Sequence, residues 1–177
     1  ICKQGEQGGQ PILKAVLVNT DQPGVTVTLM PAMNMLSEIP HGVLSLEDAQ
    51  GEVLNGDGHS DYSRVFRVLE DTHILLAASC LILNQAYRFK LSGVMQRALG
   101  LVSFLLSLKL QPCNWLSVQL AAGFDQFSEL CEMFEPFLGQ CGAEFEARWY
   151  KDKKIFSLAS GARQARTDKA LAELLNR

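Results

Sequence analysis

Asn55, Asp57, His59 and Asp61 put a polar side chain at every second position of a glycine-rich stretch, the spacing at which a calcium loop offers oxygen ligands. A helix–loop–helix calcium site also needs glycine at its sixth position and a bidentate glutamate at its twelfth, and here those places hold Ser60 and Phe66. The stretch therefore reads as a turn into a helix, with Ser60 or Asp61 as N-cap for the free amides of the first turn. His73 and Cys80 lie two turns apart on one predicted helix, a pair that can ligate a metal or set a nucleophile beside its base. A hydrogen-bonded histidine and a small apolar cysteine are the simpler reading. His41 and His59 are too scattered to complete a metal site. No Gly-x-Ser-x-Gly, phosphate-binding glycine loop or His-Glu-x-x-His occurs. No catalytic, metal or cofactor-binding residue is assigned, no cofactor is expected, and the reading leans away from an enzyme.

Charge carries more information than any motif. Residues 72–124 contain no carboxylate, only Arg88, Lys90, Arg97 and Lys109. Residues 125–147 reverse this, with Asp125, Glu129, Glu132, Glu135, Glu144 and Glu146 and no Lys or Arg. Residues 148–177 then hold eight basic side chains against Asp152, Asp168 and Glu173. A net charge of −3 thus hides blocks of opposite sign, which favour association with a second copy, another protein or a polyanion. Arg88 and Lys90 alternate with Tyr87 and Phe89, and Arg148, Lys151, Lys153, Lys154, Arg163, Arg166 and Lys169 lie near Trp149 and Tyr150. Cations interleaved with aromatics suit a nucleic-acid backbone and its bases. The competing expectation sets these cations against a protein's acidic face, such as Asp125, Glu129, Glu132 and Glu135 of this chain.

These groups need elements to position them. Residues 1–11 read as a flexible lead segment without the apolar run of a signal peptide. Residues 12–55 read as a β element: runs at 13–19 and 25–30 flank Pro23-Gly24, and runs at 43–46 and 52–54 flank a turn with Gly51, so two hairpins are expected. Residues 56–177 read as a mainly helical body of about four helices, in one domain with the β element. The first helix runs from Ser60 or Asp61 to about Ala86, and its apolar run at 74–83 suggests a helix surrounded by others. The second, about 94–110, has Gln96, Gly100, Ser103, Ser107 and Gln111 along one face; packing inside the fold is its expected use, a subunit interface the alternative. In the third, Leu116, Leu120, Phe124, Phe127, Cys131 and Phe134 recur at steps of four, four, three, four and three, with the carboxylates outside and Pro136 at its end. Residues 143–159 alternate like a second hairpin, with helix as the competing reading, and a terminal helix follows Gly161.

The fold class is α+β. Hydrophobic content of 47 % supports a sizeable core, and no apolar run reaches the roughly 20 residues that cross a bilayer. Five cysteines without a Cys-x-x-Cys pair point to a reducing, intracellular, soluble setting. The resulting expectation is a non-enzymatic interaction or assembly subunit, binding a protein partner or itself as a homo-oligomer. The alternative is a nucleic-acid-binding protein using the basic segments 88–109 and 148–169.

Overall fold

The structure, a computed structural model, describes residues 1–33, 35–108 and 113–176. The chain divides into two compact units, Ile1–Phe66 and Arg67–Arg177. The fold is α+β, a β unit followed by a helical body. The division falls beyond the glycine-rich turn where composition changes.

The β unit opens with β1 (Cys2–Gln7) and β2 (Gln10–Lys14), paired antiparallel with Gln7 opposite Gln10. Residues 1–11, expected as a flexible segment, instead form most of this hairpin. Gly8 and Gly9 both take positive φ, 58° and 77°, the backbone that a tight two-residue turn demands and that glycine adopts without steric cost. β3 (Val16–Leu17) pairs with β6 (Glu52–Val53), and β4 (Val25–Leu29) with β5 (Gly42–Leu46), all antiparallel. The strands are close to those expected, but the pairing differs: neither local hairpin forms, and β4–β5 is nested inside β3–β6. Pro23-Gly24 does turn the chain, yet it brings Gly24 against the end of β5 instead of closing a hairpin. The Glu47 amide donates to the Gly24 carbonyl at 2.8 Å, and a Cβ on Gly24 would collide with the Glu47 carbonyl oxygen. Gln22 bridges the irregular stretch, its amide nitrogen donating to the carbonyls of Asn19 at 3.0 Å and Gln50 at 2.7 Å.

A π-helical turn (Gly58–Ser63) leads into α1 (Arg64–Arg88). Its N-cap is Asp57, not Ser60 or Asp61: one Asp57 oxygen accepts from the His59 amide at 3.0 Å and the Ser60 amide at 2.8 Å.

In the helical unit, α1 buries Thr72, Leu75, Ser79, Ile82 and Ala86 at steps of three and four. The apolar run at 74–83 is not surrounded on every side: Ala77, Cys80 and Leu81 are exposed. α1 ends in a left-handed cap. Lys90 takes φ 55°, the Leu91 amide donates to the Ala86 carbonyl at 2.9 Å and the Lys90 amide to that of Tyr87 at 3.3 Å. The chain then enters α2 (Ser92–Ser107), which buries Val94, Ala98, Leu101, Val102 and Leu105. Its opposite face stays open. Gln96, Gly100, Ser103 and Ser107 are exposed, and a Cβ on Gly100 would meet nothing within 4 Å, so this face is not used for packing inside the fold. Lys109, Gln111 and Pro112, with the expected end of that helix, lie outside the described residues.

α3 (Asn114–Phe134) follows the predicted stripe. Leu116, Leu120, Phe127 and Phe134 are buried, and Phe124 and Cys131 pack partly buried against the same core. Pro136 sits in the first turn of a 3-10 helix (Glu135–Phe137), where its missing N–H costs nothing, and the chain continues into α4 (Leu138–Cys141). Residues 143–159 form no hairpin: they are α5 (Ala143–Asp152) and α6 (Ile155–Leu158). The apparent alternation of Phe145 and Trp149 is a helical i, i+4 pair. Trp149 sits edge-on to Phe134 with centroids 5.5 Å apart, and its indole N–H donates to Glu135 Oε1 at 3.3 Å. Last comes α7 (Ser160–Leu175), burying Thr167 and Ala170.

Candidate functional site

The segment that resembled a calcium loop is occupied with itself. Asp57 is tied to the first turn of the helix, Asp61 Oδ2 accepts from the Asp57 amide at 2.8 Å, and the Tyr62 hydroxyl donates to the Asn55 carbonyl at 2.7 Å. The Ser60 amide and hydroxyl, more than any other group, hold the Asp57 carboxyl below its usual range. His73 is exposed and faces the Leu69 carbonyl through Nδ1 at 2.6 Å, so that nitrogen must be the donor; Cys80 is exposed. Among the described residues no group of three His, Cys, Asp or Glu side chains is placed to hold a metal ion.

The charge blocks meet one another inside the helical unit. Arg97 of α2 pairs with Glu129 of α3. Lys153 Nζ lies 2.5 Å from Glu135 Oε1 and 5.1 Å from the Tyr150 ring centroid. Arg163 and Arg166 of α7 do not face Glu129, Glu132 or Glu135. They converge on Asp71 of α1, with nitrogen–oxygen distances of 3.9 and 3.1 Å. Arg163 also donates to the Phe156 carbonyl and lies over the Phe124 ring, 4.1 Å from its centroid. Burial raises the Asp71 carboxyl above its ordinary value, outweighing the attraction of Arg166 and Arg163; burial likewise lowers Arg163, against the pull of Asp71.

The remaining cations are spread out. Arg148 reaches Asp152 at 3.4 Å, Lys169 reaches Glu173 at 3.9 Å, and Lys151 is half-buried on α5. Arg88 sits 5.8 Å from the Phe89 ring centroid, Lys90 is the left-handed cap residue, and Lys154 is exposed between α5 and α6. On α3, Asp125, Glu129 and Glu132 are exposed; Glu135, in the 3-10 turn that follows, is half-buried. Asp71, the hub of the α1–α7 contact, was missed in the sequence. Its signal was its place as the last carboxylate before the acid-free run that begins at Thr72.

Sequence reading also missed the surface of the β unit. Within Ile1–Phe66 the buried residues among those described are Ala15 and Gly58. Residues 15–63 carry seven carboxylates and no Lys or Arg. On β4 and β5, Val27, Leu29, Val43, Leu44 and Leu46 are all exposed. Comparison with protein-family models, with curated proteins and with solved structures finds no match.

Proposed function

We propose that this chain is a non-enzymatic interaction subunit that holds a protein partner, or a second copy, through surfaces of opposite charge. The observation that carries the reading is the β unit's surface: large apolar side chains stand exposed on a stretch with carboxylates and no cation. Apolar patches rimmed by charge mark surfaces that a partner covers. The units also differ in sign, with three basic against eight acidic residues in Ile1–Phe66 and thirteen against eleven in Arg67–Arg177. Charge of opposite sign on separate units steers association and fixes its register.

The nucleic-acid alternative draws on the same cations, but Arg97, Lys153, Arg163 and Arg166 already face carboxylates of their own chain. A phosphate backbone would have to displace those partners, which speaks for a protein partner over a polyanion. Five free thiols fit a reducing, intracellular setting. No helix among the described residues is long and apolar enough to cross a membrane.

Co-purification of the tagged chain from its native source, with and without nuclease, tests the reading. A stoichiometric protein partner or a second copy that survives nuclease supports it. Material lost on nuclease treatment selects the nucleic-acid alternative, and a chain that isolates alone overturns both.

A further inference from the structure

The outer side of α1 carries a repeat that its own core does not use. α1 buries Thr72, Leu75, Ser79 and Ile82 within the helical unit. On the far side Glu70, His73, Ala77, Cys80, Asn84 and Tyr87 are all exposed, at steps of three, four, three, four and three. That is the 3.5-residue spacing of a seam between two helices, and it lies opposite the buried stripe. Leu69 and Leu81 border it at 37 % and 41 % exposure, and Leu76 lies half-buried beside it. Residues 72–87 contain no Asp, Glu, Lys or Arg; Glu70 stands at one end of the seam and Arg88, exposed, at the other.

The order of these groups specifies the cover. Read backwards, the steps are the same, so two copies of α1 laid antiparallel bring each seam position level with another. A parallel pair would instead set Glu70 against Glu70 and Arg88 against Arg88, which like charges oppose. Resting on the reading of the chain as an interaction subunit, we infer that α1 pairs antiparallel with α1 of a second copy, about a two-fold axis midway between Ala77 and Cys80. Glu70 of one copy then lies level with Tyr87 of the other and one residue from its Arg88, so the carboxylate accepts from the phenol and faces the guanidinium. His73 lies level with Asn84. His73 Nδ1 already donates to the Leu69 carbonyl, so the Nε2 of the neutral ring accepts from the Asn84 side-chain amide. Ala77 lies level with Cys80, the smallest pair, at the centre where the two backbones come closest. Each level matches donor to acceptor, opposite charges, or small to small.

Size exclusion with light scattering on the full chain, over a dilution series, tests this. The native chain passes from monomer to dimer as concentration rises. Ala77→Arg, at a position open in the single chain, sets two guanidinium groups in the seam and weakens the dimer about tenfold or more. Glu70→Arg and Arg88→Glu each weaken it about tenfold, because a reversal acts at both ends of a symmetric pair, and the double variant recovers native affinity. Maleimide labelling of Cys80, fast in the dilute chain, slows as the dimer forms, whereas labelling of Cys113 does not. Circular dichroism verifies that Ala77→Arg keeps the native helical content, and Leu81→Lys serves in its place should it fail to fold. A dimer that survives Ala77→Arg overturns the inference, as do reversals that fail to rescue each other or Cys80 labelling that ignores concentration. A chain that stays monomeric at high micromolar concentration overturns it too. Should that monomer still retain a stoichiometric partner from its native source, the interaction reading stands; should it isolate alone, both fall.

Discussion

Arg163 of α7 lays its guanidinium over the ring of Phe124 on α3, 4.1 Å from the ring centroid, while facing Asp71 of α1. One side chain thereby ties α7 to three other helices, α3, α1 and α6, through stacking, an ion pair and a hydrogen bond to the Phe156 carbonyl. Lysine keeps the charge but neither the flat face nor the fork of donors. Arg163→Lys should cost about 1–2 kcal/mol in urea unfolding. Asp71→Ala should cost about 2–3 kcal/mol, because it strands two half-buried guanidinium groups. In a double-mutant cycle the two losses should fall well short of adding. Additive losses would show that Arg163 and Asp71 act independently.

Phe127 is buried on α3, with its ring 4.5 Å from that of Phe156. Phe127→Ala should destabilise the chain by about 3–5 kcal/mol, the range for emptying a buried aromatic site. A loss under about 1 kcal/mol would mean that the α3 stripe is no core.

Lys90 holds a left-handed backbone where glycine has no steric penalty. Lys90→Gly should raise stability by about 0.5–1 kcal/mol in thermal or denaturant unfolding. A loss would mean that the lysine side chain holds the α1–α2 corner by a contact of its own.

The thiols should separate by environment. Cys2, Cys80 and Cys113 are exposed, whereas burial, aided by Glu135 and Glu132, pushes the half-buried Cys131 thiol up to about 12, and burial raises Cys141. A thiol reagent at about pH 8 should modify the three exposed cysteines in the folded chain and reach Cys131 only after unfolding. The sign of the linkage is fixed. Unfolded Cys131 loses its proton near 9.0 and the folded residue only near 12, so its contribution to stability falls as pH rises through that window. Cys131→Ala should flatten this alkaline loss, and an unchanged slope would place the loss on other groups.

Legibility in the sequence followed the range of the interactions. α3 was readable because its burial pattern repeats within one helix, Leu116 to Phe134, and the periodicity of a single segment records it. Strand pairing in the β unit was not. Pro23-Gly24 is a turn signal where the chain does turn, whereas Gly51 is not, and residues 16–17 find their partners at 52–53, a choice that no local window contains. The N-terminal hairpin was hidden by composition, since two glycines that fix a tight turn look the same as two that loosen a tail. For the charges, the blocks were visible but their partners were not. Asp71 and Arg166 lie 3.1 Å apart across 95 residues of chain, and only the packing of α7 brings them together.

The nesting of β4–β5 inside β3–β6 sets an order of assembly. Before any pairing, β3 and β6 are separated by residues 18–51. Once β4 and β5 meet across residues 30–41, that gap shrinks to the short connections 18–24 and 47–51, and the entropy lost on closing the outer pair drops with the logarithm of loop length. Gln22, bound to the backbone carbonyls of Asn19 and Gln50, then latches the interrupted stretch. The ribbon therefore zips from its tip toward its base, and the Gly24–Glu47 bond is the tooth on which the slower, outer half engages.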